Sequence, residues 1–321
     1  MKKDYWNGRN VLITGANGMV GSHISKRLVN NGANVVSLIR SKNPKSYFYE
    51  QGIDQKCIVA YGDLKRFDRI LDIVTRYEIN VILHLGAQPI VGTAFFNPLE
   101  TLRSNIDGTI NVLEASRQAS VQSIVVASSD KAYGKSDTLP YVEEMPMKGV
   151  APYEVSKSCT DMLSLSYAKT YGMPVAVTRF GNIFGPGDLN FNRIIPGAIK
   201  AGCTDSTLDI RSDGKQIREY LYIEDVVDGY ITLAENIKKA GGEAFNFSSG
   251  ERLSVTDAIK KVGNVMKKEI RMNILDQAKS EIPVQYLSSS KVEKLLGWKS
   301  KFSFEKGIEA TVPWYRKVFS W

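Results

Sequence analysis

Asn10-Val11-Leu12-Ile13-Thr14, followed by Gly15-Ala16-Asn17-Gly18-Met19-Val20-Gly21, is the stretch whose reading decides the fold. Its aliphatic first part predicts a buried strand. The glycines predict a tight turn, and the pattern from Gly18 to Asn31 predicts a helix. Strand, glycine turn and helix in that order open a βαβ unit. The turn admits close backbone approach to a ligand. The free N–H groups and dipole of the helix N-terminus then favour a pyrophosphate. Gly15, Asn17, Gly18, Met19, Val20 and Gly21 are therefore candidates for holding a dinucleotide. A glycine turn alone also serves plain packing; the strand–turn–helix context carries the ligand reading.

Working outward, β-branched runs at Val35–Ile39, Cys57–Tyr61, Val81–Leu85, Ser123–Ala127 and Val175–Thr178 predict further strands. Amphipathic patterns at Arg66–Tyr77, Leu99–Gln118 and Tyr153–Tyr171 predict helices between them. This alternation predicts an α/β fold, a doubly wound parallel sheet of Rossmann type with helices on both faces. From about Phe180 the rhythm changes. Gly181–Arg193 is rich in Gly, Asn and Pro and reads as a ligand-binding loop. Glu219–Ile237 reads as a return to the first domain that ends in a helix. Residues from about Ser254 read as a smaller α+β portion. The expected division is a dinucleotide-binding domain over 1–180, with a return segment at about 219–247, and a substrate domain from 181–218 and 248–321.

The 321 residues, 43% hydrophobic and 24% charged, suffice for a large core. No apolar run is long enough to predict a transmembrane helix. The start, Met1-Lys2-Lys3-Asp4-Tyr5-Trp6, lacks the apolar centre of a signal peptide, so a cytoplasmic location without membrane association is expected. Cys57, Cys159 and Cys203 are scattered and read as reduced thiols. With His23 and His84 as the two histidines, no metal site is expected. A net charge of +8 suits an anionic ligand such as a nucleotide, although a solvated basic surface accounts for it equally. No basic block with interleaved aromatics occurs, so nucleic acid is not an expected partner.

Ser128-Ser129-Asp130-Lys131 and Tyr153-Glu154-Val155-Ser156-Lys157 carry the chemistry. The Tyr-x-x-x-Lys spacing sets a phenol and an ammonium one helical turn apart on one face. A cation there favours the phenolate, so Tyr153 can remove a proton from an alcohol as hydride leaves its carbon. Asp130 and Lys131 beside Ser129 point to a second reaction, loss of water. A strand-end capping pair without chemistry is the alternative for these two. At the end of the second predicted strand a carboxylate would bind a ribose 2′-hydroxyl. Ile39 stands there and Arg40 follows, and an arginine accommodates a 2′-phosphate. The expected cofactor is NAD(P), with NADP favoured by Arg40 and NAD left open; a solvated strand end is the other reading of Arg40.

These motifs together resemble the extended form of the short-chain dehydrogenase/reductase family over nearly the whole chain. The resemblance implies that Asp63, in Gly62-Asp63-Leu64, contacts adenine with Leu64 beside it. It implies that Leu85, Gly86, Ala87 and Gln88, after His84, run alongside the cofactor. Asn105 then lies on the helix beside the active site, and Ser129 hydrogen-bonds the reacting sugar oxygen. The closer similarity is to nucleotide-sugar 4,6-dehydratases. Most of these follow the serine or threonine with Asp-Glu; here Asp130-Lys131 follows, which resembles the CDP-glucose 4,6-dehydratase branch. Ala87-Gln88-Pro89, the run Gly181–Asp188 and Arg193-Ile194-Ile195-Pro196 resemble the same branch, whereas Ile39-Arg40 resembles the GDP-mannose 4,6-dehydratases.

The reaction so implied converts a nucleotide-diphosphate hexose of the UDP-GlcNAc, CDP-glucose or GDP-mannose type to its 4-keto-6-deoxy form. Tyr153 takes the 4-hydroxyl proton, Lys157 lowers the tyrosine pKa and holds the ribose, and Ser129 polarises the oxygen. Asp130 is the acid for the departing 6-hydroxyl. Lys131 stands where the family has its base, a role open to a lysine only in its neutral form. Asn182 and Arg218 are implied at the diphosphate, and Gln88 and Arg193 at the substrate. Arg211 is a further candidate, equally an ordinary surface arginine. Tyr47-Phe48-Tyr49 reads as structural in preference to a contact with a partner subunit. The resemblance also implies a homodimer, or a larger homo-oligomer, through Leu99–Gln118 and Tyr153–Tyr171. Two other readings remain: a 4-epimerase of the same fold, which needs no acid or base beyond Ser129, Tyr153 and Lys157, and a non-catalytic dinucleotide-binding regulator, against which that complete set argues.

Overall fold

A computed structural model describes residues 3–277 and 282–319, so residues 1, 2, 278–281, 320 and 321 of the expected domains lie outside the described residues. Seven strands form the main sheet: β1 (Asn10–Thr14), β2 (Asn34–Ile39), β3 (Ile58–Tyr61), β4 (Val81–His84), β5 (Ser123–Ala127), β6 (Val175–Phe180) and, much later, β10 (Ala244–Phe247). Their spatial order is β10-β6-β5-β4-β1-β2-β3, and every neighbouring pair is parallel. The connection reverses direction between β1 and β4. A reversal of this kind is where an open α/β sheet takes its ligand, beyond the carboxyl ends of the strands.

Alternate side chains of each strand serve opposite faces. Val11 and Ile13 of β1 join one buried cluster, and Leu12 joins the other. Both faces are covered, which is why these strands read as continuous aliphatic runs. The helix Phe67–Arg76 buries Ile70, Ile73 and Val74, the i, i+3, i+4 stripe expected of a helix packed on such a sheet. The predicted helices over Gly18–Asn31 and Tyr153–Tyr171 appear as Met19–Val29 and Pro152–Tyr171. The latter starts with Pro152 in its first turn and the Glu154 carboxylate accepting from the Val150 and Ala151 amides (2.9 and 3.1 Å). It stops at Gly172, which takes a left-handed φ of 63°.

Three expectations need correction. Leu99–Gln118 is not one regular helix: Pro98–Leu102 leads into a π-helical turn at Arg103–Asp107 and then into Gly108–Gln118. The π turn presents Asn105 to the carboxyl edge, a placement that a regular helical pattern does not encode. Second, the loop Gly181–Arg193 contains a short strand, β7 (Asn182–Phe184). Third, the return to the large sheet does not begin at Glu219. β9 (Ile217–Tyr222) pairs with β7 and with β11 (Arg252–Ser254) in a separate three-stranded sheet, and the helix Ile223–Glu235 is what packs back against β5 and β6. A further parallel pair joins β8 (Leu208–Ile210) to β12 (Met272–Ile274). Tyr47 and Phe48 are buried; Tyr47 stacks on His23 with centroids 4.3 Å apart and meets Trp314 edge-on, a structural role. Among the described residues no helix is long and apolar enough to cross a membrane.

The glycine turn is sterically closed. Gly15 has φ +67°, and a Cβ there would lie 2.9 Å from the Gly86 Cα; a Cβ at Gly21 would lie 2.3 Å from the Gly15 oxygen. Gly21→Ala should therefore push the first helix off the turn and cost ~1–3 kcal/mol of stability. Urea unfolding checks this, and an unchanged midpoint would contradict it.

Candidate active site

The polar residues at the carboxyl edge are held by the strand ends. The turn after β1 is anchored by Gly15 N donating to the Leu38 carbonyl (3.0 Å), and Asn17 Nδ2 donates to the Ser41 carbonyl (2.9 Å). Gly18 precedes the first helix in an extended conformation without a side-chain cap. The amides of Met19, Val20 and Gly21 head that helix, and a helix start of this kind suits a pyrophosphate. The absent side chains at Gly15 and Gly86 are what let the turns after β1 and β4 come this close, and the one at Gly21 lets the helix start close on the Gly15 carbonyl. This chain therefore has the cradle a dinucleotide requires.

Thr14 and His84 face each other in the register of β1 and β4. The Thr14 hydroxyl accepts from the Leu85 and Gly86 amides (3.0 and 2.8 Å), so its own proton goes to His84 Nδ1 (2.8 Å). That assigns the histidine proton to Nε2, which faces the Thr109 hydroxyl at 3.3 Å. Asn105 continues the network. Its Oδ1 accepts from the Gln88 amide (2.7 Å), and its Nδ2 reaches the Gln88 carbonyl (3.2 Å) and Ser156 Oγ (2.9 Å). Leu64 packs its side chain on Gly86 and Gly108. Asp63 accepts from the Lys65 amide. Arg40, 66% exposed by its side chain, lies 3.4 Å from Glu100, which also binds Lys65. The Gln88 side chain folds back onto the Ile90 amide and carbonyl.

Ser129, Asp130, Tyr153 and Lys157 are all buried and are brought together. Ser129 Oγ donates to Asp130 Oδ1 (3.1 Å) and accepts from the Lys131 amide (3.2 Å). Lys157 Nζ donates to the Ala127 carbonyl at the end of β5 (2.9 Å). Burial dominates each titration. It pushes the Tyr153 phenol up to about 12, with the hydrogen bond to Ser129 acting against it. It lowers Lys157 to about 8. The Asp130 carboxyl is raised by burial, opposed by the Lys131 ammonium, the Ser129 hydroxyl and Arg218. A carboxyl so placed tends to keep its proton and can act as an acid.

The implied substrate residues divide. Arg193 lies near enough to Tyr153 to lower its pKa, and its fork binds Asp188 (2.6 Å) and the Ile183 carbonyl (2.8 Å). Asn182 Nδ2 donates to the Glu219 carbonyl (3.3 Å). Arg218 donates to the carbonyls of Ile217, Ile282 and Pro283 while its charge acts on Asp130. Arg211 is exposed in the turn after β8 and is not among the residues these contacts gather. The sequence reading missed Thr14, Thr109 and Glu219. The Glu219 carboxyl is raised by burial, is bonded by Ser248 and the Leu287 amide, and feels Asp130. No motif flags these residues, since their partners are distant in the chain.

The sequence model of the GDP-mannose 4,6 dehydratase family matches residues 12–311. The chain belongs to that family. Its relatives carry more than one activity. It is 26% identical to the CDP-glucose 4,6-dehydratase of Salmonella typhimurium, over 98% of this chain and 92% of that protein. It is 27% identical to the Arabidopsis thaliana trifunctional UDP-glucose 4,6-dehydratase/UDP-4-keto-6-deoxy-D-glucose 3,5-epimerase/UDP-4-keto-L-rhamnose-reductase, where 98% of this chain covers 48% of the relative. The chain thus spans about half the length of the plant relatives it matches. The UDP-glucuronic acid 4-epimerase of Bacillus cereus, solved with UDP-glucuronic acid and NAD, superposes with a TM-score of 0.86 at 26% identity, covering 96% of this chain and 99% of that one. Membership in the family therefore leaves water loss and 4-epimerisation to be separated by the site itself.

His84 makes one property of this network measurable. Burial, with help from the Lys157 charge, lowers it to about 3 from 6.5. Between these pH values the unfolded chain binds a proton that the folded chain refuses, so stability falls as pH drops through the window. The loss is up to about 5 kcal/mol. His84→Asn should flatten the decline of the urea midpoint across that window; an unaltered slope would contradict the assignment.

Proposed function

We propose that the protein is a nucleotide-sugar 4,6-dehydratase. The observation that carries this reading is Asp130, a buried carboxyl with a raised pKa that is hydrogen-bonded to Ser129 and close enough to act on Tyr153. A 4-epimerase needs Ser129, Tyr153 and Lys157 but has no task for an acid at this point. A nicotinamide held in the cradle would supply hydride exchange, out of carbon 4 and back into carbon 6. Tyr153 takes the 4-hydroxyl proton, and Ser129 holds that oxygen. Lys157, fixed on the Ala127 carbonyl, stands one helical turn on from Tyr153 and offers its remaining N–H donors to the ribose. The 4-ketone acidifies the proton on carbon 5. Lys131, in its neutral form, removes that proton while Asp130 gives its own to the 6-hydroxyl; water leaves, and Lys131 returns the proton to carbon 5 as hydride enters carbon 6. Asn182, Arg193 and Arg218 support the diphosphate and sugar from the small sheet and its loop.

The nucleotide cradle comprises Gly15 to Gly21, Asp63, Leu64, Leu85 to Gln88 and Asn105. Arg40 at the end of β2 favours NADP, whereas the Bacillus cereus neighbour holds NAD. A homodimer fits the exposed apolar side chains of Phe95 (75%), Phe96 (86%), Leu99 and Met162, which lie on Val91–Phe96, Pro98–Leu102 and the catalytic helix.

Incubation with UDP-GlcNAc, CDP-glucose and GDP-mannose, followed by mass spectrometry, tests the reading. The expected product has lost water; 4-epimers of unchanged mass would establish the epimerase instead. Tyr153→Phe should lower turnover by about 10²–10⁴-fold. Lys131→Met should still oxidise carbon 4 but fail to release water, and normal turnover by it would remove Lys131 from the mechanism. The nucleotide released on denaturation should be NADP by mass; NAD alone would overturn the reading of Arg40.

A further inference from the structure

One guanidinium outside the reacting groups touches both halves of the machinery. Arg179 lies on β6 and is 3% exposed, and its partner Asp161 is fully buried. Arg179 Nε and Nη2 grip the two Asp161 oxygens at 2.8 and 2.9 Å. Asp161 sits on the catalytic helix, one turn beyond Lys157 and two beyond Tyr153. The remaining arm turns the other way. Arg179 Nη1 donates to the Tyr133 hydroxyl at 2.6 Å and to the Glu143 carbonyl at 3.1 Å. Tyr133 ends the 3-10 turn Asp130–Tyr133, which carries Asp130 and Lys131. Its hydroxyl passes its own proton to Asn246 Oδ1 (2.8 Å), and its ring stacks on Tyr141 with centroids 4.8 Å apart.

We propose that Arg179 is a positioning residue that sets the turn bearing Asp130 and Lys131 against the helix bearing Tyr153 and Lys157. The inference rests on the dehydratase reading above. Burying an ion pair is a poor route to stability alone, because apolar packing serves as well. What the planar fork adds is direction: it holds a carboxylate on two oxygens and still presents a donor elsewhere. Here that third donor meets the turn. Oxidation at carbon 4 uses Tyr153 and Lys157, carried on the helix, with Ser129, the cap of the turn, holding the oxygen. Water loss also needs Asp130 to give its proton to the 6-hydroxyl and Lys131 to take the one on carbon 5. Those two groups ride on the turn, so loosening the turn should slow elimination more than oxidation.

Tyr133→Phe removes the hydroxyl and keeps the ring in its stack. Arg179→Lys keeps the charge but cannot reach both Asp161 oxygens and Tyr133. In single turnovers quenched with borodeuteride, the 4-keto sugar that retains its 6-hydroxyl and the 4-keto-6-deoxy product are counted by mass. In either variant the ratio of the first to the second should rise about tenfold, as expected of a displaced acid and base. Arg179→Lys carries the greater risk of misfolding, and Tyr133→Phe alone then decides. An unchanged ratio, whether both halves slow together or neither does, overturns the inference while the dehydratase reading stands. Wild-type protein that releases no water from any substrate overturns the dehydratase reading and this inference with it.

Discussion

Desolvation at the carboxyl edge of a sheet covered on both faces is the constraint on which the rest of the structure depends. A polar group buried there needs a partner or it costs stability. Thr14, Lys157 and Arg179 each have one, and the partner also fixes the position. Thr14 caps the Leu85 and Gly86 amides and points its proton at His84. Lys157 is seated on the Ala127 carbonyl. Arg179 is clasped by Asp161. The strands supply the edge, and the hydrogen-bond accounting of their ends supplies the site.

The same burial sets the chemistry. It raises Tyr153 and Asp130 and lowers Lys157, so all three lean toward their neutral forms. For Asp130, in the acid role proposed above, that is an advantage, since an acid must hold its proton until it is needed. For Tyr153 it is an obstacle that Ser129 and Arg193 only partly offset. The separation of roles follows from support as well as charge. Tyr153 and Lys157 stand on a long helix closed at both ends, whereas Asp130 and Lys131 stand on a single turn.

Particular residues show how far the chain could be read unaided. The turn from Gly15 to Gly21 and the pair Tyr153/Lys157 were legible because their geometry is local: neighbours along a turn or a helix meet whatever surrounds them. The strand series was legible because burial on both faces demands aliphatic runs. Asn105 was placed in a helix, yet the π turn that aims it at Gln88 was not legible. The position of β9 was misjudged for a similar reason. Its aliphatic and aromatic residues suit either sheet, and pairing with β7 and β11 decided between them.

By itself the sequence determined the Rossmann architecture, the glycine turn after β1 and the candidate reacting side chains. These depend on local backbone freedom, on periodicity and on functional groups a few residues apart. Tertiary structure alone decided which of those groups are desolvated and what each one touches. His84 meets Thr14 and Thr109, Arg218 turns to the carbonyls of residues 282 and 283, and Arg179 links the turn to the helix. Such contacts join residues far apart in the chain, and their energies depend on exclusion of water, which no short stretch of sequence encodes.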